Sequence, residues 1–337
     1  MPPLLQEGVP SIMSTTQNTT PATGFLNVLK PPGMTSSQVV GHVRRLLNGA
    51  KVGHAGTLDP EAAGVLPLMV GKAARLFDYM QDKGKAYITE IAFGCATDTQ
   101  DAQGTVMDNS CQFPVPSSQR HRRLVERPEN IPSEAAIREA LPRFTGEIWQ
   151  KPPMYSAIKR EGKRLYELAR EGKQAEVPAR QVTVHALALM RITEPDSAIL
   201  SIRCSKGFYV RTLCNDLGVV LGCPAHMRFL LRTQSGVFSL DTAHTLETLD
   251  KAAGQGRLGE LMIPPEAALA HLPRTDVPAA LASAFRNGGR LSWNSFPALH
   301  QTASAIGEAA CFWLDGRLAA IGVRQGDEVR LRTWLGE

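Results

Sequence analysis

The chain has 337 residues, 20% charged and 43% hydrophobic, with a formal net charge of +5. That length suits a catalytic core with one small appended domain, and no run approaches the ~18 consecutive apolar residues of a membrane span. The six cysteines form no C-x-x-C pair and no zinc-spaced cluster, which speaks against a metal site or a disulfide framework. The mild positive charge suits an anionic polymer as partner, and an N-terminus without a basic start and apolar core points to the cytoplasm.

Residues 1–22 are rich in Pro, Thr, Ser and Gln without period, the composition of a disordered tail. Thr35, Ser36 and Ser37 then offer caps for a helix carrying Val39, Val40, Val43, Leu46 and Leu47 on one face, stopped by Gly49. KAYITEIAFG (85–94) is a strand with Tyr87, Thr89, Ile91 and Phe93 on one side, ended by the Asp- and Gly-rich TDTQDAQG. About 110–132 hydrophobic period is lost and Arg120, His121, Arg122, Arg123 and Arg127 accumulate, as in a basic loop insertion. Residues 133–144 have a helical face, 187–205 read as two strands broken at Glu194-Pro195-Asp196, and 211–221 make a helix capped by Gly222. Around 240–259 a linker helix is expected. The last 75 or so residues alternate in short strands, Val329, Leu331 and Thr333 inward and Arg330 and Arg332 outward. Mixed elements without βαβ alternation make the fold α+β with a mixed, largely antiparallel sheet flanked by helices, plus a small C-terminal β-barrel.

One loop carries the chemical interest. GHAGTLDPEAAGVLPL (53–68) sets Asp59 between a Gly-rich run and a proline. An Asp N-cap with Pro at the first helical position would explain it structurally. His54, Thr57 and glycines 53, 56 and 64 around it favour a ligand-approaching loop instead. Glu61, two residues on, would not share a helix face with it, so paired-carboxylate chemistry fits badly. P-loop, G-x-S-x-G, G-x-G-x-x-G and H-E-x-x-H motifs are absent.

The stretch GHAGTLDPEAAGVLPLMVGKAARL resembles the catalytic motif of the TruB family of tRNA pseudouridine synthases. GFLNVLKPPGMTSSQVV (24–40), KAYITEIAFGCATDTQDAQG (85–104), QKPPMYSAIKREGKRLYELAREG (150–172) and CSKGFYVRTLCNDLG (204–218) join it in family order. The resemblance implies a pseudouridine synthase fold over 23–250 and a PUA-like RNA-binding domain over 262–337. It implies isomerisation of uridine 55 in the tRNA T loop, without cofactor or metal, by a cytoplasmic enzyme expected to be monomeric. Asp59 is then the catalytic aspartate, Arg211 its cationic partner, and Tyr87 the ring that receives the flipped base and a candidate for removing the C5 proton. His54, Lys30, Tyr209, Leu230 (read as helical) and Arg232 complete the pocket by the same resemblance. A tRNA chaperone and a guide-RNA-dependent synthase remain as rivals.

Overall fold

The computed structural model describes residues 23–80, 84–107, 131–153, 155, 159–160, 163–164, 177–194, 196–300 and 307–336. The expected tail (1–22), nearly all of the basic insertion (110–132) and much of the 150–172 block lie outside them.

Strand β1 (Gly24–Lys30) leads into helix α1 (Ser36–Leu46). Of the three candidate caps Thr35 serves, in a capping box with the Gln38 amide donating to the Thr35 hydroxyl and the Gln38 side chain accepting from the Thr35 amide. Beyond it the chain turns through Asn48 and Gly49, both at positive φ. Next come β2 (Val52–His54), β3 (Ala63–Val70), short α2 (Phe77–Met80) and β4 (Lys85–Phe93). Helix α3 (Glu134–Ala140), capped by Ser133, is followed by β5 (Gly146–Gln150) and a minimal hairpin, β6 (Lys159–Arg160) with β7 (Lys163–Arg164). Strands β8 (Arg180–Glu194) and β9 (Ser197–Cys204), helix α4 (Val210–Val220), strand β10 (Ala225–Ser235) and β11 (Phe238–Ser239) complete the large sheet.

Its order is β1-β3-β10-β4-β9-β8-β5, with β2 on β3 and β11 on β10. Every pairing is antiparallel except β10 against β3, so the sheet is mixed and largely antiparallel, as expected. AHMRFLLRT is a strand, not a helix: its apolar run is too short for periodicity to decide, and pairing with β3 and β4 decides it.

Strand β3 is buried along its whole length because its alternating side chains feed two cores. Leu66, Leu68 and Val70 join α1 and α4 on one side, and Val65 and Met69 join Phe25 and Phe238 on the other. The expected linker helix, α5 (Leu246–Gly254), packs onto the first core through fully buried Leu249. It therefore crosses residue 250, where a domain boundary was expected.

After α6 (Pro265–Ala268), strands β12 (Arg274–Asp276), β13 (Ala309–Leu314), β14 (Arg317–Gln325) and β15 (Glu328–Trp334) form a separate four-stranded sheet in that order. Val329 and Thr333 point inward and Arg330 and Arg332 outward. The barrel expected from this alternation does not close among the described residues, since β14 is the one strand that pairs with β15, whose start takes only an isolated bridge from Ser292, and β15 does not return to β12. Helices α7 (Ala282–Arg286) and α8 (Pro297–His300) cover it around Phe285, Phe296 and Phe312. The two sheets share a core in which Phe25, Val65 and Leu76 meet Leu269, Cys311 and Ile321. Lys72 and Arg75 reinforce it by donating to the backbone oxygens of Gly336 (2.7 Å) and Trp334 (2.9 Å).

No helix among the described residues is long and apolar enough to cross a membrane. Cys204, Cys214, Cys223 and Cys311 are free and buried, but Cys95 is disulfide-bonded, which the cysteine spacing gave no reason to expect.

Candidate active site

The segment between β2 and β3 contains no helix. The Ala62 amide closes a turn on the Asp59 carbonyl at 3.1 Å and β3 begins one residue later, so Asp59 is not an N-cap. Two fully buried cations hold this loop from beneath. The Lys30 ammonium donates to the carbonyls of Pro31 (2.9 Å), Pro60 (2.7 Å) and Ala62 (2.6 Å), using all three of its N–H groups on backbone. Burial pulls its pKa down to about 8, against the raising influence of Glu61 and Asp59. Arg232 donates to Val65 (2.7 Å), Gly56 (3.1 Å) and Thr57 (3.4 Å). Ser36, at the start of α1, pins Leu58 by accepting from its amide at 2.9 Å.

This grip depends on Gly64, at φ +114, where β3 passes β10 so closely that a methyl group would sit 2.2 Å from the Arg232 carbonyl oxygen. Gly64→Ala is expected to lower stability by about 3 kcal/mol or more, because a backbone atom has to give way in an unfavourable conformation. The denaturant midpoint of the purified variant measures this.

Asp59 itself meets Arg211, the second residue of α4. The guanidinium forks onto the carboxylate, Nε to Oδ2 at 3.2 Å and Nη2 to Oδ1 at 3.4 Å. Its remaining donors reach the carbonyls of Tyr155 (2.8 Å) and Thr99 (3.3 Å) and a second carboxylate, Asp101, at 3.5 Å. The Arg211 side chain is 6% exposed and that of Asp59 36%, so the acid stands at the mouth with its cation behind it. Burial pushes the Asp59 carboxyl up; Arg211 draws it back, Asp101 adds to the rise, and Lys30 and Arg232 oppose it. The net direction is upward.

Tyr87, Leu230 and Arg232 share one face of the sheet, since Arg232 lies opposite Tyr87 and Leu230 opposite Thr89 across the β4–β10 pairing. Burial lifts the Tyr87 phenol to about 12, partly countered by the neighbouring Arg232 guanidinium. It is therefore neutral at physiological pH and suited to stacking and to donating a hydrogen bond. His54, at the end of β2, has its pKa lowered by burial and by Arg232, and its buried Nδ1 has no hydrogen-bond partner among the described residues. Tyr209 lies under the Arg180 guanidinium at 4.9 Å, and its backbone amide and carbonyl are both clamped by the Gln150 side chain.

The fold thus gathers Asp59, Arg211, Tyr87, His54, Lys30 and Arg232 around one loop and one sheet face, with Leu230 on that face, while Tyr209, two residues before Arg211, is held instead by Arg180 and Gln150. Sequence reasoning missed Asp101 and Gln150. Asp101 lay in a stretch that read as a turn, and it contacts Arg211 across 110 residues of chain. Gln150 was quoted only as the start of a block, with nothing to distinguish it from a surface amide.

A family profile described as "TruB family pseudouridylate synthase (N terminal domain)" matches residues 44–210, and one described as "tRNA pseudouridylate synthase B C-terminal domain" matches 211–270. The tRNA pseudouridine synthase B of Moorella thermoacetica is 46% identical over 318 residues, 93% of this chain and 91% of that protein. Its counterpart in Alkaliphilus oremlandii is 40% identical over 306 residues, 90% of this chain and 94% of that one. Among solved structures, "Structure of H/ACA RNP bound to a substrate RNA containing 2'-deoxyuridine" includes a chain that superposes with a TM-score of 0.66 at 23% identity, covering 93% of this chain and 85% of that one, a likeness of fold. With such identity sustained over nine-tenths of its length, the chain belongs to the TruB family of pseudouridine synthases.

Proposed function

We propose that this protein is a tRNA pseudouridine synthase that isomerises uridine 55 of the T loop. The observation that carries this reading is the forked Asp59–Arg211 pair at the mouth of a loop held rigid from below, beside the Tyr87 face. Uridine 55 leaves its stack and lies on Tyr87, which offsets an unstacking cost of a few kcal/mol. Asp59, as carboxylate, acts on the ribose or the base, while Arg211 fixes its orientation. The glycosidic C1'–N1 bond breaks, the uracil turns, a C1'–C5 bond forms, and the C5 proton passes through a base to solvent while N1, freed of the sugar, takes up a proton, so that substrate and product are isomers. Neither an oxidant nor a cofactor enters that balance. Leu230 walls the base, and His54 and Tyr209 border the opening. Lys30 and Arg232 serve the site by fixing the Asp59 loop.

The domains follow the same reading: 23–250 catalytic and 262–337 a PUA-like unit directed at the acceptor end of the tRNA, the whole acting as a cytoplasmic monomer that recognises the bent loop by shape. Single-turnover release of tritium from C5-labelled uridine, on full tRNA and on an isolated T-arm hairpin, tests it. Release from both RNAs is expected. Tight binding without release would favour a chaperone, and no action on the bare hairpin would favour a guide-dependent enzyme.

Tyr87 is separable from the chemistry of Asp59. Tyr87→Ala is expected to weaken binding of the hairpin roughly 10- to 100-fold through lost stacking, and Tyr87→Phe to leave it nearly intact. Filter binding at fixed salt distinguishes them.

A further inference from the structure

Lys85 opens β4 two residues before Tyr87, so both side chains leave the same face, their Cα atoms about 7 Å apart. Its ammonium reaches over the Asp59 loop, 3.3 Å from the point where a side chain on Gly56 would begin. Lys30 and Arg232, below the loop, spend their donors on backbone carbonyls. Lys85 differs: it makes no hydrogen bond or ion pair among the described residues, although it is half-buried. Arg232 and Arg180 both lie close enough to repel it. An unpaired ammonium held among like charges is costly unless an anion arrives.

We propose that Lys85 binds a phosphodiester oxygen of the RNA backbone beside the flipped uridine, clamping the nucleotide whose base lies on Tyr87. This rests on the function proposed above and adds a residue that positions the substrate. Lysine suits the task, a compact charge with three free donors that needs no fixed geometry from a phosphate presented by a flexible loop. Glycine at position 56 keeps the space between ammonium and loop open. The surroundings support the assignment electrostatically: burial, then Arg232, and Arg180 beyond it draw the Lys85 pKa down to about 8, with only Cys204 opposing. The free enzyme therefore loses this charge as pH rises through about 8, and a bound phosphate restores it.

The experiment measures Kd for the T-arm hairpin in the Asp59→Asn background, where no turnover intervenes, against salt and between pH 7 and 9. Lys85→Gln is expected to raise Kd roughly 10-fold at pH 7 and to make the slope of log Kd against log salt shallower by about 1. It should also abolish the weakening of binding between pH 7 and 9. Lys85→Arg, which keeps a charge at every pH tested, should retain affinity and salt slope but lose the pH dependence, and it guards against misfolding of the glutamine variant. Unchanged Kd, salt slope and pH dependence in Lys85→Gln overturn the proposal. So does, for Lys85→Gln in the enzyme that keeps Asp59, a slowed single-turnover rate at saturating RNA with binding untouched, which would make Lys85 a support for Tyr87. Absence of tritium release by wild type overturns the functional reading instead, and is read in a separate assay.

Discussion

Asp59→Asn is expected to slow tritium release at least about 1,000-fold while holding Kd for tRNA within about threefold. Asparagine keeps the size of the side chain and one oxygen toward Arg211, so the loop, clamped independently by Lys30, Arg232 and Ser36, has no reason to move. What disappears is the negative charge at the mouth. A variant that released tritium within tenfold of wild type would show that Asp59 only shapes the loop. The wild-type pH profile carries a companion expectation. The ionised carboxylate is the competent form and burial raises its pKa, so the rate falls as pH falls, with a midpoint above the ordinary aspartate value of about 4. A midpoint at or below that value would mean Arg211 outweighs burial.

Arg211→Met is expected to cost both activity, roughly 1,000-fold, and stability, about 2–3 kcal/mol. The stability loss stays below that of a fully enclosed pair because Asp59 still touches water. Without the guanidinium, Asp59 and Asp101 repel each other with only the weaker influence of Lys30 and Arg232 to compensate, and the Tyr155 and Thr99 carbonyls lose a donor. Arg211→Lys separates charge from geometry: one ammonium cannot fork onto a carboxylate and reach three further oxygens. It should recover most of the stability and little of the rate, as read by denaturation and single-turnover kinetics. Recovery of both would reduce Arg211 to a counter-charge.

The local elements were legible where capping and period agreed. Thr35 as a cap with the Val39, Val40 and Val43 face announced α1, and the alternation of Tyr87, Thr89, Ile91 and Phe93 announced β4. Leu230 was misread because a run as apolar as MRFLL satisfies either period until its neighbours are known. The C-terminal alternation predicted strands correctly but not closure, which depends on whether the last strand returns to the first. At the site, residue types pointed to a loop around Asp59, and family resemblance supplied its company. The burial that turns Lys30 from a surface cation into a clamp, and the fold that brings Asp101 to Arg211, are tertiary facts with no local signature.

The packing of Phe25, Val65 and Leu76 against Cys311 and Ile321, with Lys72 and Arg75 fastened to Gly336 and Trp334, ties the two sheets together through one core among the described residues. The molecule therefore behaves as a gauge. An RNA that touches both sheets must carry its two contact points at a spacing set before binding, and a stem lengthened or shortened by a few base pairs would forfeit one of them however well its loop fitted.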